Sequence, residues 1–373
     1  MKYTIDSHFN VIPAIGMDGF RSLKSDWDRL AMNNGSYFPF LCHDWYEIWL
    51  RHFPDTDLFI PVLYRDDAIV AIMPLMRQIV TKKGIRLKTF EFIGNAYAQA
   101  RTILFDSVDA TERTQFAEKL FQYFMKSGLD WDYLDLYGLQ TENGNSEQIA
   151  NAATRCKFKY RVEHAYLNRF QDGISVSAEE YLSGRTKVVS KNAPYYLRRL
   201  QKEGGVEFRV VTDDSDMDAV MDSYYKLYAK SWKKSEGLSP TYHRDLAKLA
   251  AAKGWLRLGF LDFNGSPVVC HFWLQFKDTA IWVKSCYDAS FKRYSPGTIL
   301  TYEMFRILID QYRVNSVDLL QGDQEYKRDW VDGIRNRERL LVFSNTFKGR
   351  VASTYLTSIR PRLSKLFKAN NET

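Results

Sequence analysis

Little in this chain speaks for covalent staples, a leader or a membrane span. Its 373 residues hold four cysteines, Cys42, Cys156, Cys270 and Cys286, with no C-x-x-C pair among them. That excludes a disulfide framework and a thiolate zinc site, and predicts buried thiols in a reducing compartment. Nowhere do about 18 apolar residues run uninterrupted. The N-terminal MKYTIDSHFNVIPAIG lacks the basic and apolar parts of a secretory leader, so the expectation is a soluble, cytoplasmic protein. The six histidines, at 8, 43, 52, 164, 243 and 271, are dispersed, and no metal is expected. H-E-x-x-H, G-x-S-x-G, G-x-x-x-x-G-K-[ST] and G-x-G-x-x-G are all missing. Their absence weighs against metalloprotease, α/β-hydrolase, P-loop and dinucleotide chemistry together.

What is present is core. Hydrophobic residues make up 45% and aromatics 15% of the chain, enough for two domains. Lys and Arg number 52 against 45 Asp and Glu. The net +7 favours anionic ligands without pointing to DNA.

A weak internal repeat organises the sequence. Leu58–Tyr64 and Ala68–Ile79 read as a hairpin around Arg65-Asp66-Asp67. Leu256–Phe263 and Val268–Phe276 read as another around Asn264-Gly265, a turn of the type that tolerates positive φ. A strand, a helix and a strand follow each hairpin. They are about Thr102–Phe105, Thr111–Lys126 and Tyr133–Tyr137 in the first copy, and Ala280–Tyr287, Gly297–Gln311 and Val317–Gln321 in the second. Helical sequence precedes both hairpins, at Phe20–Met32 and Trp45–Phe53, then at Met217–Lys233 and Thr241–Lys253. The order predicts tandem α/β domains, each with a mixed central sheet flanked by helices. The boundaries expected are 1–168, 169–345, and a basic amphipathic C-terminal helix over 346–373. Leu356, Ile359, Leu363 and Leu366 form that helix's apolar stripe, with Arg360, Arg362, Lys365 and Lys368 on the remaining positions. Such a helix docks on the protein or makes a peripheral membrane contact, and its narrow stripe favours docking.

Chemistry concentrates in the second copy. Ser295-Pro296-Gly297 opens the helix that continues from Thr298, with Lys292 and Arg293 just before it. Helix-start amides and the positive end of the dipole suit a phosphate there. Val317–Leu320 runs into Gln321-Gly322-Asp323 and then Tyr326-Lys327-x-x-Trp330, polar groups at the carboxyl edge of a parallel pair. The first copy offers only Tyr137-Gly138-Leu139 at this point and no Ser-Pro-Gly loop. The densest basic stretch, GRTKVVSKNAPYYLRRLQKEGG with Arg185, Lys187, Lys191, Arg198, Arg199 and Lys202, reads as a solvated helix face or as a phosphate-contacting arm.

Together these segments resemble the GNAT superfamily of acyl-CoA transferases, in particular the CelD/BcsL-type proteins of cellulose biosynthesis, which are related to the FemAB aminoacyl transferases. The resemblance is carried by Ser231-Trp232-Lys233, Gly254-Trp255-Leu256, Lys284-x-x-Tyr287-Asp288, Tyr294-Ser295-Pro296-Gly297 with Leu300, and Gly322-Asp323-x-x-Tyr326-Lys327-x-x-Trp330. In the first half Trp45-x-x-x-Trp49 and Ala71-Ile72-Met73-Pro74-Leu75 add to it. It implies tandem GNAT-like domains and an N- or O-acyltransferase moving an acetyl or acyl group directly from acyl-CoA, as co-substrate, to an amine or hydroxyl of a sugar or cell-envelope precursor. Alternatives are a FemAB-like transferase that uses aminoacyl-tRNA, and a catalytically silent scaffold of polysaccharide biosynthesis. The family's pyrophosphate loop falls on Arg293-Tyr294-Ser295-Pro296-Gly297-Thr298, with one glycine present.

Direct transfer calls for a base, oxyanion donors and a proton source for the leaving group. Asp288 and Asp323 are the candidates for base or acceptor-orienting group, and Tyr287 and Tyr326 for proton or oxyanion donors. Lys284 joins Arg293–Thr298 as donor-binding, and Lys327 and Trp330 are assigned to the acceptor. His271, inside VVCHFWLQF, reads as a hydrogen-bonded core histidine.

Overall fold

The computed structural model describes residues 2–82, 84–94, 100–231 and 241–356. Contacts divide the chain into two units, Met1–Tyr166 with Asn336–Thr373, and Leu167–Arg335. Among the described residues no helix is long and apolar enough to cross a membrane.

The first unit begins with β1 (Tyr3–Thr4), β2 (Phe9–Ile15), α1 (Gly16–Ser22), α2 (Lys24–Ala31), α3 (Phe38–Leu41) and α4 (His43–His52). β3 (Asp57–Arg65), β4 (Ala68–Ile72), β5 (Leu75–Lys82), β6 (Ile85–Phe92), β7 (Leu104–Phe105), α5 (Ala110–Lys126), β8 (Tyr133–Gln140) and α6 (Asn145–Arg155) follow. Phe116, Leu120, Phe121 and Phe124 recur on one stripe of α5 and pack with Phe59, Leu63, Phe90 and Leu134 of the sheet.

Several expected elements are revised. The strand expected over 68–79 breaks at Met73-Pro74 into β4 and β5, because a proline has no N–H to extend a ladder. β5 instead pairs with β6 in a hairpin not foreseen from the sequence. The strand running parallel to β8 is β6. The expected strand 102–105 shrinks to β7, a short partner of β4.

β9 (Lys159–Gln171) carries the chain into the second unit. There α7 (Ala178–Ser183), a π turn (Val188–Asn192), α8 (Ala193–Gln201), β10 (Val206–Val211), α9 (Met217–Ala229), α10 (Tyr242–Ala252), β11 (Leu256–Phe263), β12 (Ser266–Phe276), β13 (Thr279–Tyr287), α11 (Pro296–Arg306), β14 (Ser316–Gln321) and α12 (Glu325–Arg328) succeed one another. The strand order is β9-β14-β13-β12-β11-β10. All neighbours are antiparallel except β13 and β14. Ile299, Leu300, Met304 and Phe305 of α11 enter the core. The helix lies close on β11 because Gly259 lacks a side chain: a Cβ there would stand 2.3 Å from Met304 Sδ. Trp232 and Lys233, expected to end the helix from Met217, lie outside the described residues.

The chain then returns to the first unit as β15 (Gly333–Phe343) and α13 (Phe347–Thr354). Arg337–Phe343 pair antiparallel with Gln140–Tyr133 of β8. Residues 336–345, expected in the second domain, thus belong to the first unit. Of the basic helix expected over 346–373, the part from 357 onward lies outside the described residues.

Candidate active site

Parallel β13 and β14 are in register only from Thr279 to Ile281 and from Ser316 to Asp318. Beyond that point β14 bulges. Its pairing with β9 shifts between Asp318 and Gln321, and Leu320 takes a left-handed φ of 55°. A non-glycine residue holds that conformation only when its surroundings enforce it. Here Asp318 Oδ1 accepts the Leu320 amide at 2.6 Å, and Arg335 holds Oδ2 at 3.2 Å.

The bulge leaves three carbonyls to be satisfied, and one side chain takes all of them. Lys327 on α12 donates from Nζ to the carbonyls of Leu319 (2.6 Å), Leu320 (3.3 Å) and Gln321 (2.7 Å). The residue is only 5% exposed. Burial lowers its pKa to about 8 against the opposing pull of the Asp318 carboxylate, so the ammonium form still prevails at neutral pH. Its three hydrogens being committed to backbone, Lys327 serves as a fixed positive charge and not as a free donor.

At the start of α11, Ser295 has φ 50° and ψ 53° and makes no side-chain cap. Its carbonyl receives the Ile299 amide at 3.2 Å. Pro296 has no N–H, which leaves the amides of Gly297 and Thr298 without partners in their own helix. A Cβ built on Gly297 would meet only Tyr287 Cδ1, at 3.9 Å. The corresponding helix of the first unit differs. Asp109 caps α5 by accepting the Glu112 amide at 2.8 Å, and Glu112 sits in the same first turn. Two carboxylates stand at the head of α5 and none in the first turn of α11, so only the latter suits an anion.

The other expected residues spread around this point. Arg293 lies 4.7 Å from the Tyr294 ring centroid, and Arg199 of α8 lies 5.3 Å from it. Tyr294 itself is buried in the core. Lys292 is exposed and Lys284 half-buried. Asp288 Oδ1 accepts the Ser290 amide (2.9 Å) and hydroxyl (2.7 Å), and Oδ2 stands 3.5 Å from Lys230 Nζ. Burial pushes its carboxyl upward, but the Ser290 and Lys230 contacts outweigh that and the net pKa is lowered. Tyr287 flanks Gly297. Tyr326 packs edge-on against Trp282 at 6.1 Å.

Asp323 and Trp330 sit differently from the sequence expectation. Asp323 is clamped between Arg328 and Arg169, whose guanidiniums lower its pKa to about 2. A carboxylate that acidic is a poor proton acceptor and a good anchor. Trp330 is 3% exposed and packs on Phe305 at 5.3 Å, a core position. His271 is buried, as expected, beside Trp282. Sequence reading missed the carbonyl grip of Lys327, the Asp318–Arg335 pair and Arg169. The available hint was the run of polar residues around Gly322.

The Asp323 clamp has a measurable consequence. The folded pKa is depressed from 3.8 to about 2, so its contribution to stability is complete above about pH 4 and is lost as pH falls toward 2. Thermal melts of Asp323→Asn and the unaltered protein are expected to differ at neutral pH and to converge near pH 2. A gap that persists unchanged at acid pH would place the effect elsewhere.

Comparison with known families bears on this geometry. Residues 188–328 match the acetyltransferase (GNAT) domain family. The matched stretch takes in α8, the β10–β14 sheet, α11 and α12, and so contains both the open helix start and Lys327. No curated protein matches the chain in sequence. Among solved structures, FemX superposes with a TM-score of 0.57 at 8% identity, covering 85% of this chain and 95% of that one. A conserved protein of unknown function from Bacteroides thetaiotaomicron VPI-5482 gives 0.51 at 11%, covering 86% and 97%. L-PGS from Bacillus licheniformis gives 0.50 at 11%, covering 84% and 95%. At such identities the likeness is one of fold. The architecture is mixed α/β, with mixed sheet flanked by helices, and the GNAT domain match over 188–328 supports an N-acyltransferase enzyme.

Proposed function

We propose that the chain transfers an acyl group directly from an activated carrier to an amine or hydroxyl of a saccharide or cell-envelope precursor, with CoA as the first candidate carrier. The reading rests on one observation: the uncapped start of α11 lies next to the strand end Tyr287, on the side where β13 has left β14. The amides of Gly297 and Thr298, with Lys292 and Arg293 nearby, would hold the carrier's phosphates. The acyl group would then lie along β13, and the Lys327 charge would favour negative charge developing on the acyl oxygen or leaving atom. Asp288, weakly basic, would orient the acceptor, while the acceptor's proton passes to the departing thiolate or alkoxide. The CelD/BcsL-type assignment and the saccharide acceptor derive from the resemblance of the sequence motifs. Titration calorimetry with acetyl-CoA and longer acyl-CoAs tests the carrier: heat is expected, and no heat from folded protein would overturn the CoA version.

A second reading has its own support. With Lys327 occupying the β14 carbonyls, an extended arm entering the gap has β13 alone to pair with, and Lys187, Lys191, Arg198 and Lys202 form an exposed basic face on and beside α8. An aminoacyl ester of tRNA fits both features. Retention of charged tRNA at low salt, lost when Arg198 and Arg199 are reversed in charge, would favour it over CoA.

A further inference from the structure

The face of the first unit formed by the β5–β6 hairpin and α13 has no role in acyl transfer as read above, and its chemistry is unusual for a solvated surface. A groove of about 560 Å³ runs between Ile85 and Leu87 on β6 and Val351 and Ala352 on α13, with Tyr355 at the helix's C-cap. Its floor is apolar core: Leu87, Ala352 and Leu356 are buried there with Val80 and Tyr355 against them. Its mouth is also apolar. Phe347, the first residue of α13, is 83% exposed, and Ile85 at the hairpin tip is 41% exposed. Thr346 caps α13 by accepting the Gly349 amide at 3.1 Å, so the helix start is complete without the phenyl ring.

The rim is cationic. Lys82 and Arg350 line the groove and are exposed, and Lys348 beside Phe347 is exposed too. None of the lining residues is acidic. Among the described residues, these three cations make no ion pair, although surface cations elsewhere on the same unit find carboxylates, as Arg77 does with Asp57 and Lys119 with Asp6. A lone exposed phenylalanine is ordinary. An apolar slot with a protruding ring and an unneutralised basic rim is the combination that binds an interface having anionic head groups above and hydrocarbon below.

We propose that this face docks the protein onto an anionic phospholipid bilayer, with Phe347 and Ile85 entering the acyl boundary and Lys82, Lys348 and Arg350 meeting phosphate. The proposal is independent of the identity of the acyl carrier. An acidic protein partner would match the rim but would gain little from the open slot, and a second copy of the chain would bring the same cations face to face.

The test is co-sedimentation of the full chain with phosphatidylcholine vesicles that contain phosphatidylglycerol, and with vesicles of phosphatidylcholine alone, at low and physiological salt. Binding is expected to the anionic vesicles, weakening with salt. Lys82→Glu with Arg350→Glu is expected to lower vesicle affinity ~25-fold or more, at roughly fivefold per neutralised charge. Phe347→Ser is expected to lower it ~10-fold. All three side chains are exposed, so melting temperatures should not move. Failure to bind anionic vesicles overturns the proposal, as does binding that survives both variants, which would put the contact elsewhere, for instance in residues 357–373. Concentration-dependent dimerisation that Phe347→Ser abolishes, with no vesicle binding, would assign the face to self-association instead.

Discussion

Replacing Lys327 with Met is expected to reduce acyl transfer ~100-fold or more, since it removes a buried, preorganised charge from the carboxyl end of β14. Stability should fall by about 2 kcal/mol, because the carbonyls of Leu319, Leu320 and Gln321 lose their donor in a buried place. The pH dependence of the unaltered enzyme separates this role from simple structural support. If the charged form acts, the rate declines as pH rises through about 8, the pKa to which burial brings Lys327. Stability should move the opposite way. A lysine whose folded pKa lies below the ordinary 10.5 holds its proton less tightly in the native state than in the unfolded one. It therefore costs stability below about pH 8, and that cost is relieved as pH climbs toward 10.5. A rate profile flat through pH 8 in protein that remains folded would remove Lys327 from the chemistry.

The second large effect is expected at the start of α11. Gly297→Asp places a carboxylate in the first turn of α11, where space is open and where the helix dipole welcomes a negative side chain. Folding should be unharmed or slightly improved. Binding of a phosphate-bearing carrier should weaken ~100-fold, from occupation of the amides and like-charge repulsion. Calorimetry and a thermal melt on the same preparation separate the two outcomes. Undiminished carrier affinity would show that the α11 start is an ordinary helix beginning. Gly297→Ala serves as control: it adds only a methyl group near Tyr287 Cδ1 and should bind nearly as the unaltered chain does.

Both positions were visible in the sequence, but for different reasons and to different degrees. The Ser295-Pro296-Gly297 signal is local, since a residue tolerant of left-handed φ, a proline and a glycine define a helix start wherever they are placed. The β11–β12 hairpin was legible on the same ground: Asn264 and Gly265 both adopt the positive φ their types allow. α5 was legible as a helix over Thr111–Lys126, one residue short of its start at Ala110. Lys327 was singled out as a ligand-facing group because a lysine is assumed to be solvated. Only the bulge at Leu320 turns three carbonyls toward it, and nothing in the spacing of residues 316–327 encodes that bulge. Trp330 was misjudged for the same reason, as neighbourhood in sequence was taken for neighbourhood on a surface. The first part of β5, to Ile79, was read as the end of one long strand, and β6 escaped notice because Thr89 breaks the alternation of Ile85 and Leu87 with Arg86 and Lys88 before Phe90 and Phe92. β15 escaped because its partner β8 lies some two hundred residues upstream, a pairing no local pattern discloses.

That distant pairing sets an order of events during synthesis. Every residue of Leu167–Arg335 is made before Arg337–Phe343 emerge to complete the sheet alongside β8. The inserted body can therefore finish folding while its host still waits for a strand. Until then β8 presents a bare backbone edge, the kind of surface on which nascent chains aggregate. A stop codon a few dozen codons early, far from the reacting groups, should thus leave a competent transferase body tethered to an insoluble host.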